Sequence, residues 1–239
     1  MYKKPEGNLL KICPNGKIYL NKLLYNYLKN LNYLKLKKQL PENVNLLAVS
    51  KYTNSKNIQS LYDLGQQHFG ESKVQEAQIK QYDLISNQKL KWHFIGNIQS
   101  NKISKIVNNF DYIHSVDSLK KLQKISKVAT ELNKTPNIMI QIKLSDDPEK
   151  GGMHREELLS NFGEIKLIKG IKLIGLMTIN PKGLSSKDNL NLFKQCRSLA
   201  DSLLLKECSM GMSQDWKEAV EAGSTWIRLG SLIFGDSII

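Results

Sequence analysis

The sequence predicts an α/β fold: a single (β/α)8 TIM barrel with an N-terminal helix. Eight short apolar runs alternate with segments of helical periodicity, which is typical of parallel β/α units. Eight strands also close such a barrel, and 239 residues is a usual length for one. An open doubly wound sheet is the competing architecture, but its Gly-rich dinucleotide fingerprint is absent from the sequence.

Residues 1–239 are therefore predicted to form one barrel domain, with residues 1–44 as a helical segment packed on it. Residues 17–40 carry leucines and tyrosines at helical spacing, most lysines fall off that stripe, and Pro41 ends the pattern. A basic amphipathic helix can also lie on a membrane, but packing on its own domain is the favoured interpretation.

The remaining elements alternate along the chain, each apolar run reading as a strand and each periodic segment as a helix. Helix 187–204 has the clearest apolar face. The predicted strands are 45–50, 68–71, 91–96, 112–116, 137–144, 172–179, 206–211 and 225–230. The predicted helices between them include 55–65, 72–83, 118–132, 154–169, 187–204 and 214–222.

Composition and charge exclude several classes of protein. The formal net charge is +13, but the basic residues are dispersed, which favours a lysine-rich surface over a nucleic-acid site. The three cysteines lack metal-ligand spacing and indicate reduced thiols. The N-terminus lacks a signal peptide, and no apolar run approaches the roughly 18 residues that span a bilayer. A soluble cytoplasmic protein is expected, a monomer without nucleic-acid or membrane partners.

Lys51 stands where a buried strand is predicted to end, and only Ser50 separates it from the apolar run 46–49. A lysine at the mouth of a barrel is either a cap that extends to solvent or a reactive amine. Lys143, in the strand 137–144, is a competing amine, and the spacing of residues leaves both open.

Two stretches near the C-terminus are typical of phosphate sites. CSMGMSQDW, residues 208–216, and IRLGSLIFG, residues 227–235, place glycines and hydroxyls after the last two strands. Backbone N–H groups there can bind an anion, and barrels often bind phosphate after strands seven and eight. An amine beside a phosphate site suggests pyridoxal 5′-phosphate, with Lys51 as its amine partner and Arg228 at its ring nitrogen.

The motifs resemble those of the pyridoxal phosphate homeostasis proteins (the YggS/PROSC group), whose barrel is the fold type III, PLP-binding barrel of alanine racemase. They occur in family order from about residue 45 onward. The matching pieces are AVSK (48–51), HFGES with Gln75-Glu76 (68–76), WHFIGNIQSNK (92–102), HSVDS (114–118), Lys150-Gly151, GLMTI (175–179), SMGMSQDW (209–216) and IRLGSLIFG (227–235).

This resemblance implies a cofactor site and a role. Lys51 would hold pyridoxal phosphate as an aldimine, a covalent Schiff base, and Arg228 would sit by the ring nitrogen. Ser213, Gly230 and Ser231 would hold the phosphate. Ser72 stands beside the cofactor where the family usually has Asn. The implied role is to bind, buffer or deliver the cofactor, with transient transfer to PLP-dependent apoenzymes, and it includes no catalytic residue and no metal.

The alternative function is a PLP-dependent enzyme such as an amino-acid racemase. The barrel and its lysine allow that chemistry. However, the chain ends at Ile239, shortly after the last predicted strand, so the β-domain that completes the active site of alanine racemase is expected to be missing.

Overall fold

A computed structural model of the protein describes residues 10–12, 18–20, 22–145, 147 and 151–235. The strands are β1 (Leu10–Ile12), β2 (Ile18–Leu20), β3 (Asn45–Val49), β4 (His68–Glu71), β5 (Lys91–Phe94), β6 (Tyr112–Val116), β7 (Asn137–Lys143), β8 (Met153–His154), β9 (Lys172–Met177), β10 (Glu207–Ser209) and β11 (Trp226–Leu229). The helices are α1 (Lys22–Gln39), α2 (Ser55–Tyr62), α3 (Val74–Asp83), α4 (Ile103–Asn109), α5 (Leu119–Glu131), α6 (Arg155–Ile165), α7 (Ser186–Ser202), α8 (Trp216–Glu221) and α9 (Ser231–Phe234).

Eight parallel strands close into a barrel, which confirms the predicted (β/α)8 fold. Around the barrel the order is β3, β4, β5, β6, β7, β9, β10 and β11. β11 pairs with β3 and completes the ring. The two-residue strand β8 lies outside the ring order and pairs in parallel with the C-terminal end of β7. Since all eight strands run the same way, their C-terminal ends meet at one mouth, where barrels of this type hold their sites.

The apolar core has two layers, as strand alternation requires. Residues that point outward from the strands pack beneath the helices and make the larger layer. The smaller layer fills the barrel itself and includes Leu47, Met139, Met177 and Trp226. Assigning each strand residue to one of these layers shows which side chains reach the inside of the mouth.

The N-terminal helix begins later than predicted. Residues 17–40 were expected to be helical, but Ile18–Leu20 pair antiparallel with Leu10–Ile12, and α1 begins at Lys22. The run Ile18-Tyr19-Leu20 is rich in residues that favour strands, and the intervening sequence contains Asn15-Gly16, a dipeptide typical of hairpins.

α1 packs on the barrel against α9 and α2. Tyr33 is buried, Lys29 Nζ donates a hydrogen bond to Asn57 Oδ1 at 2.6 Å, and Asn30 Nδ2 donates one to Ser60 Oγ at 3.0 Å. Burial lowers the pKa of Lys29 to about 8. Within the part of the chain that the structure describes, no helix is long and apolar enough to cross a membrane.

Other differences concern the ends of elements. The predicted strands 91–96, 172–179 and 206–211 end at Phe94, Met177 and Ser209, because the ladder stops where the loops of the mouth begin. The prediction omitted α4, which buries Ile103, Ile106 and Val107 within an otherwise polar stretch. Of the motif residues and cysteines, Lys150 and Cys13 lie outside the described residues, and the other two cysteines are buried free thiols.

Candidate cofactor site at the barrel mouth

The pairing of β11 with β3 brings the last predicted phosphate loop next to Lys51. Leu229 lies opposite Ala48 in this register, so Gly230 reaches the end of β3. A Cβ atom placed on Gly230 would lie 3.3 Å from the carbonyl oxygen of Val49, a tight approach that favours glycine. The backbone thus places the residue that begins α9 beside the residues that lead to Lys51.

Lys51 lies in a tight turn immediately after β3. The N–H of Thr53 donates to the carbonyl oxygen of Ser50 at 3.1 Å, and Tyr52 takes a left-handed conformation with φ of 68°. Lys51 follows the C-terminal end of β3, so its backbone lies at the mouth of the barrel. Its side chain is exposed, with Nζ 5.6 Å from the centre of the Tyr52 ring.

A buried ion pair anchors the residue before Lys51. Lys80 Nζ, on α3, donates to the carbonyl oxygen of Ser50 at 2.9 Å and to Glu71 Oε1 at 2.8 Å. The Ser50 hydroxyl donates to the same carboxylate oxygen at 2.5 Å. Burial raises the pKa of Glu71, and the hydrogen bonds from Lys80 and Ser50 oppose that rise. Thus α3 fixes the strand end from which the Lys51 amine extends.

Ser72 follows Glu71 at the end of β4, the strand next to β3. Val49 lies opposite Gly70 in this pair, and the N–H of Ser50 donates to the Gly70 carbonyl oxygen at 2.9 Å. Ser72 is half-buried. It therefore borders the mouth on the side of Lys51 away from Gly230.

The loop after β10 forms the other phosphate candidate and contains Ser213, which is half-buried. Its shape depends on Gly211, which has φ of 93° and whose added Cβ atom would lie 2.5 Å from Ala219 Cβ. The N–H of Met212 donates to Asp215 Oδ1 at 2.6 Å. Burial raises the pKa of Asp215, and the Met212 N–H and the nearby Arg228 charge oppose that rise.

Arg228 points into the barrel from β11 and is buried. Its Nη1 donates to the Ser209 carbonyl oxygen at 2.6 Å and to Ser209 Oγ at 2.9 Å, while Nη2 donates to the Thr178 carbonyl oxygen at 2.9 Å. Burial lowers its pKa to about 10, against the raising effect of Asp215. The guanidinium therefore stays charged at neutral pH and acts as a fixed donor.

Lys143 shares the inward face of β7 with Met139 and Gln141, whereas Ile142 belongs to the outer layer. Its direction therefore does not exclude it as an amine near the mouth. Its position differs from that of Lys51, because β7 is across the barrel from β3 and β11. Lys51 is the amine that lies beside the two phosphate candidates.

The six predicted cofactor residues thus lie on or after four consecutive strands of the ring, namely β10, β11, β3 and β4: Arg228 lies within β11, and the other five follow the strands. The sequence analysis missed Glu71 and Lys80 as a supporting pair and Ser209 as the partner of Arg228. Glu71 and Ser209 were visible as polar residues at strand ends, but nothing local marked Lys80. Among the described residues, no group of His, Cys, Asp and Glu side chains could hold a metal ion.

Comparisons with known proteins place this chain in a family. The family model for the N-terminal domain of alanine racemase matches residues 29–238. A pyridoxal phosphate homeostasis protein of Synechocystis sp. is 46% identical over 205 residues, covering 83% of this chain and 94% of that protein. The chain belongs to the pyridoxal phosphate homeostasis protein family. The Escherichia coli member of the family is 34% identical and covers 82% of this chain and 86% of its own length.

A solved structure supports the family assignment. The structure of PipY from Synechococcus elongatus with PLP bound is 40% identical and has a TM-score of 0.84, covering 87% of this chain and all of that one. An alanine racemase of Clostridium difficile is only 16% identical, with a TM-score of 0.72 and coverage of 88% of this chain and 57% of its own, so it shows the shared fold alone.

Proposed function

We propose that this chain binds pyridoxal 5′-phosphate at the mouth of its barrel and buffers or delivers it within the cell. The observation that carries the proposal is the strand register that sets Lys51 beside Gly230, next to the strand of Arg228. The PLP-bound structure of PipY, 40% identical, supports it. Free pyridoxal phosphate has a reactive aldehyde, a phosphate dianion and a ring nitrogen, and this mouth offers a group for each.

The chain's own residues fit the cofactor. Arg228 keeps its proton, so it can donate a hydrogen bond to an unprotonated ring nitrogen but does not protonate it. Hydroxyls and backbone N–H groups at Ser213 and Ser231 supply donors to a phosphate. The cofactor supplies an aldehyde carbon, to which the Lys51 amine would bond with loss of water. Ser72 would line the site beside it.

We predict that Lys51 carries the covalent linkage. After incubation with pyridoxal phosphate and reduction with borohydride, peptide mapping should find the pyridoxyl group on Lys51. Lys51→Ala should abolish this labelling. Lys143→Ala, which removes the competing amine on β7, is the matched control and should retain it. Labelling that moves to Lys143 or persists in Lys51→Ala would show that the assignment is wrong.

A second prediction concerns the phosphate. The double variant Ser213→Ala/Ser231→Ala removes two hydroxyl donors to a dianion, and hydrogen bonds to charged groups are strong enough that affinity should fall at least about tenfold. Titration followed by visible absorbance measures this. Pyridoxal, which lacks the phosphate, should bind the wild type weakly and should bind the double variant equally weakly. Equal affinity of the wild type for pyridoxal and pyridoxal phosphate would contradict a phosphate site.

A third prediction is that the loaded protein does not turn over amino acids. Arg228 leaves the ring nitrogen unprotonated, which weakens the ring as an electron sink compared with a carboxylate partner. Incubation with L-alanine or L-serine should therefore yield neither D-enantiomer nor keto acid, whereas an apoenzyme added to the loaded protein should gain activity. Steady turnover that disappears in Lys51→Ala would instead establish an enzyme.

A further inference from the structure

A chain of three histidines crosses the inside of the barrel behind Arg228. His68 Nδ1 lies 2.9 Å from His93 Nε2, and His93 Nδ1 lies 2.9 Å from His114 Nε2. His114 Nδ1 lies 2.9 Å from Ser209 Oγ, and that oxygen also accepts a hydrogen bond from Arg228 Nη1. We call His68, His93 and His114 the histidine column. It begins at the first residue of β4 and ends beneath the mouth.

The surroundings of the column keep its rings neutral. His93 and His114 are fully buried, and the ring of Tyr112 stacks on His93 with centroids 4.1 Å apart and planes 4° apart. Burial lowers the pKa of His68 to about 4 and that of His114 to about 3, and burial also lowers the pKa of His93 well below its usual range. A neutral imidazole has one donor nitrogen and one acceptor nitrogen.

Arg228 can only donate hydrogen bonds, and this sets the direction of every hydrogen bond along the histidine column. A guanidinium has no acceptor, so its Nη1 donates to Ser209 Oγ. Ser209 is fully buried, and among the described residues the other partner of its hydroxyl is His114 Nδ1. The hydroxyl proton therefore points to His114 Nδ1. It follows that His114 carries its proton on Nε2 and donates to His93 Nδ1, and that His93 Nε2 donates to His68 Nδ1.

We propose that the histidine column is a positioning device for Arg228, acting through Ser209. With His114 as a fixed acceptor, the Ser209 hydroxyl keeps a lone pair toward Nη1, and the guanidinium is held at a set height below the mouth. Without that acceptor the hydroxyl can rotate, and Arg228 loses one of its three described hydrogen bonds. The inference rests on the proposed function, in which Arg228 meets the ring nitrogen of the cofactor.

The first test needs no cofactor. Nitrogen NMR of the protein with isotopically labelled histidine should show the Nε2–H tautomer for all three column rings. Arg228→Met removes the donor that sets the direction of the hydrogen bonds along the column. The Nε2–H tautomer should then no longer be enforced in all three rings, and signals of the Nδ1–H form should appear. A wild-type column ring in the Nδ1–H tautomer would overturn the proposed direction and with it the inference.

The second test separates positioning from a general effect on folding. Two ligands are compared, pyridoxal phosphate and an analogue whose ring nitrogen is replaced by carbon, which cannot accept from Arg228. His114→Leu should weaken binding of pyridoxal phosphate about tenfold, the effect of a hydrogen bond involving a charged group. It should leave binding of the analogue unchanged. His114→Asn, which keeps a polar group near the Nδ1 position, should restore most of the affinity for pyridoxal phosphate.

The outcomes distinguish this inference from the proposed function. His154 lies outside the column on an exposed helix start, so His154→Leu is the matched control and should behave as wild type. Equal losses for both ligands in His114→Leu would mean that His114 only supports folding, and the inference would fail. A wild type that does not prefer pyridoxal phosphate to the analogue would also overturn it. A wild type that binds neither ligand would instead refute the proposed function.

Discussion

Replacing Lys80 by methionine should lower the free energy of unfolding by about 3–5 kcal/mol, the usual cost of removing one partner of a buried ion pair. Lys80 and Glu71 are both buried, and their charged atoms are 2.8 Å apart. Glu71 Oε2 has no hydrogen-bond partner among the described residues. The buried carboxylate is therefore stabilised only by the hydrogen bonds that Oε1 accepts from described residues. The variant removes the cationic donor and leaves the Ser50 hydroxyl alone on Oε1. Equilibrium unfolding in urea measures the change.

The chain contains a matched control on the same side of the barrel. Lys73 and Glu76 also lie 2.8 Å apart, but the Lys73 side chain is 60% exposed. Solvent screens such a pair, so Lys73→Met should leave the free energy of unfolding nearly unchanged. The double variant Glu71→Leu/Lys80→Met removes both buried charges and should recover most of the lost stability. Equal effects of Lys73→Met and Lys80→Met would contradict this account.

The barrel could be predicted from the sequence because its strands are buried on both faces. Runs such as LLAV at 46–49 and IMI at 138–140 are continuously apolar, as parallel strands under helices are. Strand ends were less accurate. β10 was expected to continue to residue 211 but ends at Ser209, because the backbone turns to form the loop that contains Gly211. Local composition does not record where a partner strand stops pairing.

The site was partly predictable for the same reason. Lys51 and Arg228 were predicted to lie at the mouth because polar residues at the C-terminal ends of barrel strands meet there. The direction of Lys143 was left open, and only the packing of Met139 inside the barrel shows that it faces inward. The histidine column is harder to predict, because its members lie on three strands and meet only after the strands tilt and close. One signal was available: an inward-facing histidine in three successive strands.

The last prediction is that stability falls steeply as the pH drops from about 6.5 toward 4. The column histidines are neutral in the folded protein, with pKa values of about 4 for His68 and about 3 for His114, and with the pKa of His93 also lowered. In the unfolded chain each regains a pKa near 6.5. Within this range the unfolded state binds about three more protons, so lower pH favours unfolding. The stabilisation is complete above pH 6.5 and is lost as the pH falls.

Each such histidine adds about 1.4 kcal/mol per pH unit to the slope, or about 4 kcal/mol for three, which urea unfolding at several pH values measures. Asp111 favours protonation of His68, whereas Lys91 and Lys37 oppose it there and Arg228 opposes it at His114.

His68→Asn, at the less buried end of the column, should reduce the excess from about three protons to about two. His154→Asn, outside the column, should leave the slope as in wild type. A stability that does not change between pH 6.5 and 4.5, or a slope that His68→Asn does not alter, would show that the folded protein takes up these protons as readily as the unfolded chain does. That result would contradict the neutral column and the hydrogen-bond directions derived from Arg228.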